Sequence, residues 1–146
     1  MTKTRGLDGL IGYHLRRASS CLMADLGERL SDLGLRTTEA SILVTLSASS
    51  GITQSEIGRR LGIQRANMAP LIAGLVSRGL IVHGKMVGRT RPLTLSPAGQ
   101  RLTRDALAQM DQHEEEFFGA MPAPAKDQLL TLLRGLWRDA GDAGPT

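Results

Sequence analysis

A single cysteine, Cys21, stands in 146 residues, so neither an intrachain disulfide nor a cysteine-rich zinc site is available. Aromatics are almost as scarce: one Trp, one Tyr and two Phe. That scarcity argues against single-strand or RNA recognition, which stacks bases on rings. No apolar run approaches the ~18 residues that would cross a bilayer. The opening MTKTRGLDGL has no apolar core followed by a small-residue cleavage site, so no secretory signal is expected and the reading is of a cytoplasmic protein without membrane contact. Enzyme signatures are missing too. Residues 79–85 match most of a phosphate-binding loop, but Met86 stands where Ser or Thr is required, and the lysine follows a strand-like run instead of opening a helix. His14, His83 and His113 lack metal-ligand spacing, and no serine lies in a nucleophile elbow. No catalytic residue, metal or cofactor is expected.

What is present is an ordinary globular composition, with 41% hydrophobic and 22% charged residues. A chain of this length buries roughly 70% of its unfolded surface and needs no covalent staple. The net charge of +4 conceals a sharp split. Residues 53–104 hold nine Lys or Arg against one acid, Glu56, a net of +8, and the remainder carries −4. Charge gathered into a third of the chain gives a basic face if that third folds together. With no single amphipathic basic helix and few aromatics, nucleic acid is the expected partner ahead of a membrane surface.

Leu7, Leu10, Ile11, Leu15, Ala18, Leu22, Leu26, Leu30 and Leu33 recur at three- and four-residue steps, which predicts a long helix with one apolar stripe, ended by Gly34. Cys21 falls beside that stripe and is expected to be a buried thiol. Thr37 or Thr38 caps a second helix to about Ala48, burying Ala40, Leu43, Val44 and Leu46. Thr53 and Glu56 form a capping box opening a short helix with Ile57 and Leu61 inward, and Gly62 breaks it. A further helix starts near Gln64 and runs to Arg78, stopped by Gly79. Two short helices around a Gly-containing turn make a helix-turn-helix pattern. The runs Leu80-Ile81-Val82 and Pro92-Leu93-Thr94-Leu95 read as strands joined by a Gly- and Arg-rich loop, a hairpin or wing. Ser96-Pro97 starts a helix to about Phe118. Pro122 and Pro124 mark a turn, and a last helix carries Leu129, Leu132, Leu133, Leu136 and Trp137 before a tail, 141–146, expected to fray.

This order, and above all TQSEIGRRLGI (53–63), LVSRGLI (75–81) and RTRPLTLSPAG (89–99), resembles the MarR family of winged-helix transcriptional regulators over nearly the whole chain. The fold class is therefore expected to be mainly α, a winged helix-turn-helix domain at 37–104, with 1–36 and 105–146 forming a helical dimerisation region. A recognition helix fits the major groove and reads bases from its N-terminal residues, here Gln64, Arg65, Ala66, Asn67 and Met68. Arg65 and Asn67 are the expected base readers, since Arg bonds guanine and Asn adenine bidentately. Thr53, Gln54 and Ser55 open the preceding helix, where free N–H groups suit phosphates, and Arg59 adds charge. The resemblance implies that Arg89 is the wing arginine entering the minor groove, with Lys85 and Arg91 on the backbone. Two departures stand out. Val87 replaces the acidic wing residue that family members use to steady that arginine. Pro70 sits inside the recognition helix, where an interior proline costs about 3 kcal/mol, so a bend or an irregular first turn is expected.

The outer helices are acidic: residues 105–142 hold eight acids against three bases, so this face should point away from DNA. Their stripes exceed what one small domain needs to cover, and the resemblance implies a homodimer on a palindromic double-stranded operator. It further implies a repressor relieved by a small-molecule effector, an aromatic acid or its coenzyme A thioester, with His14, Arg16 and Arg17 facing the ligand pocket or pairing with Asp25 and Glu28. A Cys21-based peroxide response, or a DNA-binding module with no effector, are the alternatives.

Overall fold

A computed structural model describes residues 6–141, with side chains through Arg138. Of the tail expected to fray, 141–146, Gly141 is the last residue of the final helix and 142–146 lie outside the described residues. The elements follow the order α1 (Ile11–Ser31), α2 (Thr37–Ala48), α3 (Gln54–Leu61), α4 (Arg65–Ser77), β1 (Ile81–His83), β2 (Leu93–Leu95), α5 (Pro97–Phe118) and α6 (Ala123–Gly141). None of these helices is long and apolar enough to cross a membrane.

The long first helix is shorter than its stripe suggests. Leu7–Gly9 form a 3-10 turn, and Leu10, in extended backbone, is the N-cap of α1. Only the C-terminal end of the stripe is covered. Leu30 is buried and Leu22, Leu26 and Leu33 are half-buried, whereas Leu7, Leu10, Ile11, Leu15 and Ala18 are exposed. Cys21, expected to be buried, is exposed as well.

The core sits around α2, which packs on α1, α3, α5 and β2. Its inner side is Ala40, Ile42, Leu43 and Leu46, with Val44 only half-buried. Leu35, Ile57, Met68, Ile72, Leu75, Leu80, Ile81, Leu93 and Ala106 close the cluster from the neighbouring elements. The start of α2 is not capped by a threonine. Arg36 is the N-cap residue, and the Glu39 carboxylate reaches back to accept from the Arg36 N–H at 3.3 Å. Glu39 is itself buried and pairs with Arg36 Nε at 2.8 Å and with Arg78 Nη1 at 2.9 Å. Arg78 also donates to the Gly34 carbonyl at 2.8 Å, so one carboxylate ties the ends of α1 and α4 to the start of α2.

A second polar cluster joins α1 to α5. Asp25 accepts from Arg29 Nε at 2.9 Å and lies 3.5 Å from the buried His113 Nε2, and Arg29 also pairs with Glu116. Hydrogen bonds to Asp25 and then to Glu116 hold the Arg29 guanidinium above its ordinary pKa.

The sheet is a two-stranded antiparallel hairpin with Ile81 opposite Leu95, Val82 opposite Thr94 and His83 opposite Leu93. An isolated antiparallel bridge from Ile52 to Leu93 brings in a third extended segment from the α2–α3 connection. Alternation puts Ile81 and Leu93 into the core and leaves Val82 exposed. Ser96 then starts α5 as expected: its Oγ accepts from the Gly99 N–H at 3.0 Å and donates to the Gly79 carbonyl. Gly99 explains the close docking of this helix start on the strand. A Cβ there would overlap the Leu80 carbonyl oxygen, which already accepts from the Ser96 N–H at 3.0 Å. Gly99→Ala should therefore destabilise the fold by about 2–3 kcal/mol, as overpacking against backbone does. The measurement is urea unfolding, with a lower midpoint at unchanged slope. An unchanged midpoint would mean that α5 can shift off β1 without loss.

Candidate nucleic-acid interface

The helix-turn-helix is built by two local devices. Thr53 caps α3, its hydroxyl accepting from the Glu56 N–H at 3.2 Å, and Gly62 ends the helix in the left-handed conformation at φ +66°. The reciprocal half of the expected capping box does not form. The Glu56 carboxylate turns instead along α3 to Arg60 at 3.0 Å and to Arg59. Across the turn, the Ile63 N–H bonds the Gly58 carbonyl at 2.8 Å, and α3 crosses α4 where Gly58 faces Met68. Met68 is thus a core residue, 1% exposed, and not the base-reading residue that its place near the helix start suggested. Four residues after Gln64, it falls on the inner face of α4.

The other residues at the start of α4 are exposed: Gln64 at the N-cap, then Arg65, Ala66 and Asn67. The Gln64 side chain makes no cap bond, and its carbonyl accepts from both Asn67 N–H at 2.9 Å and Met68 N–H at 3.2 Å, so the first turn is partly 3-10 in character. Pro70 lies on the exposed side within an uninterrupted helix. It removes the amide that would otherwise bond the Ala66 carbonyl.

A groove runs along each flank of this helix start. The smaller, about 120 Å³, brings Gln54 and Ser55 of α3 beside Arg65. The larger, about 490 Å³, brings Gln64 and Asn67 beside Arg36 and Thr38 at the start of α2. The last two were missed by sequence reasoning, because they lie outside the basic segment and 26 or more residues before their neighbours in the groove.

The wing is ordered by its own backbone. Val87 and Thr90 exchange N–H···O=C bonds of 2.8 and 3.1 Å around Gly88 and Arg89, with Gly88 at φ +62°. A positive φ at the first central position alone is the pattern of a type II′ hairpin turn, and it sets Arg89 at the tip. Thr90 Oγ1 reinforces it by donating to the Val87 carbonyl at 2.9 Å. At the base, Gly84 N–H bonds the Pro92 carbonyl at 2.7 Å, and Arg91 Nε donates to the Gly84 carbonyl at 3.1 Å. The acidic partner absent at Val87 is replaced by this ladder. Arg91, expected only on the DNA backbone, is partly engaged in holding the wing.

The basic segment is less uniformly free than its count implied. Arg59 and Arg60 bind Glu56, and Arg78 binds Glu39. Among the described residues, Arg65, Lys85, Arg89, Arg91, Arg101 and Arg104 have no carboxylate partner. On α1, His14, Arg16 and Arg17 are exposed. His14 Nε2 lies 3.0 Å from the Asp8 carbonyl, and the Arg16 guanidinium sits 5.8 Å from the Tyr13 ring centroid. Neither arginine pairs with Asp25 or Glu28.

A helix-turn-helix followed at once by an antiparallel hairpin, framed by long helices, defines a winged helix-turn-helix protein. Residues 33–89 match the sequence model of the MarR family. That stretch holds the helix-turn-helix and the start of the wing, and over it the chain resembles the MarR family, whose winged-helix structures it matches in fold. It is similar to a solved transcriptional repressor, CouR, bound to a 23-mer DNA duplex, at 28% identity and TM-score 0.84, over 93% of this chain and 98% of that one. A structure of CouR bound to p-coumaroyl-CoA is 28% identical at TM-score 0.81, over 94% and 99% of the two chains. A MarR-family transcriptional regulator from Rhodococcus sp. RHA1 is 25% identical at TM-score 0.83, over 91% and 96%. Comparison with curated proteins gives no match.

The α3 cap is the local feature on which the smaller groove depends. Thr53→Ala should cost about 1 kcal/mol in denaturant unfolding, the usual loss for an N-cap hydroxyl. Ser55→Ala, two residues on and exposed, should cost a few tenths at most; equal losses at both would contradict the cap.

Proposed function

We propose that the chain is a homodimeric, sequence-specific regulator that binds double-stranded DNA at a palindromic operator and acts as a repressor. The observation that carries this reading is the set of unpaired cations at the start of α4 and on the wing, flanking the exposed amides of Gln64 and Asn67. Arg65 and Asn67 read bases, Arg89 enters the minor groove from the wing tip, and Gln64, Thr53, Gln54, Ser55, Lys85 and Arg91 contact the backbone. Arg59 contributes only by loosening its pair with Glu56. On this reading 37–104 is the DNA-binding unit, and 1–36 with 105–146 is the dimerisation region.

The dimer is supported by apolar side chains that the described elements leave exposed. Leu7, Ile11 and Leu15 at one end, and Leu132, Leu136 and Trp137 at the other, are each at least 39% exposed. A two-fold pair would set two recognition helices about one helical turn apart. We assign release from DNA to a small effector, an aromatic acid or its coenzyme A thioester, with His14, Arg16 and Arg17 offering it a cationic edge. The likeness to CouR, solved with DNA and with p-coumaroyl-CoA, supports both halves of the reading.

The test is binding of the purified protein to DNA from its own upstream region, titrated with salt and then with aromatic acids, their thioesters and peroxide. Tight, salt-sensitive binding at one dyad site, released by one of the acids or thioesters, is expected. Binding that no compound weakens would leave a module without effector, and release by peroxide that disappears in Cys21→Ser would move the sensor to the thiol. Within the bound complex, Arg89→Ala should make log K against log salt shallower by about one per protomer. Asn67→Ala should instead cost about 1–3 kcal/mol at particular base pairs and little on unrelated DNA.

A further inference from the structure

We infer that the larger groove, between the start of α2 and the start of α4, is a phosphate-binding cleft for the DNA backbone, with Arg36 as its principal ligand. The inference rests on the DNA-binding reading above and extends it to a residue outside the basic segment. Arg36 is 80% exposed at its side chain, yet it is not loose. Its Nε is held at 2.8 Å by Glu39, whose carboxylate is buried and fixed from the other side by Arg78. Holding a guanidinium by Nε leaves both terminal nitrogens without a partner among the described residues. Two parallel N–H donors in one plane match two oxygens of a phosphate, as a lysine ammonium does not.

The surroundings suit the same ligand. The cleft measures about 490 Å³, and Thr38, Gln64 and Asn67 line it beside Arg36. The Thr38 hydroxyl and the Gln64 amide can donate to phosphate oxygens without adding negative charge. Glu39, with two arginines around it, leaves the triad at +1. Asn67 links the cleft to the proposed base-reading edge, so a strand whose bases meet α4 would carry its backbone past Arg36. A free phosphate or nucleotide would satisfy the same donors; continuity with the α4 edge favours the duplex.

The experiment uses the full-length protein and two labelled duplexes, one containing the selected operator and one of unrelated sequence, each titrated with salt. Arg36→Ala should weaken both by about tenfold per protomer at 0.1 M salt and make the slope shallower by about one per protomer. Arg36→Lys should restore the slope but not the full affinity. A scan of single neutral methylphosphonates through the operator locates the contact: one position per half-site should weaken the parent and leave Arg36→Ala unaffected. Thermal unfolding of each variant guards against loss of fold, and Thr38→Val, which leaves the Glu39 triad intact, should weaken binding at the same phosphate if Arg36→Ala proves unstable. If Arg89→Ala makes the slope shallower and neither Arg36→Ala nor Thr38→Val changes affinity, the cleft is not a phosphate site and the DNA-binding reading stands. If no variant alters binding to either duplex, both fall. Competition by millimolar inorganic phosphate that Arg36→Ala abolishes, without any effect of that substitution on DNA, would assign the cleft to a free anion and overturn the backbone role.

Discussion

The Glu39 carboxylate is the interaction on which the rest of the arrangement depends. Burying a lone carboxylate costs several kcal/mol, and here the cost is offset only because two arginines and a backbone amide converge on it. The three donors come from different places: the amide and guanidinium of Arg36 open α2, and Arg78 follows the last turn of α4. Arg78 also holds Gly34, in the turn that ends α1. The carboxylate thus fixes the far end of α4 against the end of α1. Removing one arginine would leave a buried charge underpaired, so these elements hold one relative position or lose the pair altogether.

That constraint separates a rigid inner unit from outer helices with unfinished surfaces. Around α2 nearly every large apolar side chain is covered, and even Gly58 and Gly99 sit where a methyl would press on a neighbour. Along α1 and α6 the same hydrophobic periodicity continues, yet it meets solvent at Ile11, Leu15, Leu136 and Trp137. Apolar stripes of this extent are not a stable end point for a lone chain. The inner unit covers its own apolar surface; the outer helices leave part of theirs exposed.

Periodicity and caps made most of the fold readable. Thr53, Gly62 and Ser96-Pro97 are local signals, and each element boundary they mark is where the structure has it. What escaped is non-local or ambiguous between roles. Thr37 and Thr38 looked like caps, but Glu39 serves α2 better because its longer side chain can reach both the Arg36 amide and Arg78. Met68 sits close to the helix start, as a reader should, and only the crossing of α3 over α4 turns it inward. Glu56 satisfies the spacing for a capping box and for an i,i+4 pair with Arg60 alike, and the charge pair won. The Arg78–Glu39 contact spans 39 residues and no spacing rule reaches it. Charge counting over 53–104 consequently overstated the free positive charge by three arginines and overlooked Arg36.

The wing shows how one function can be held by a different interaction. The resemblance implied an acidic residue two positions before Arg89 to steady it, and Val87 cannot do that. The loop instead closes as a II′ turn on Gly88, with a cross-strand pair between Val87 and Thr90 and a side-chain bond from Thr90. Backbone bonds fix where the Arg89 Cα stands, whereas an ion pair fixes where its guanidinium points. The tip is therefore presented in a defined place while the arginine itself carries no intramolecular partner among the described residues. A guanidinium that is not first withdrawn from a carboxylate loses less on meeting DNA. The same logic distinguishes Arg89 from Arg36: the wing arginine is positioned through its backbone, the cleft arginine through its Nε. Both keep their terminal nitrogens for an anion.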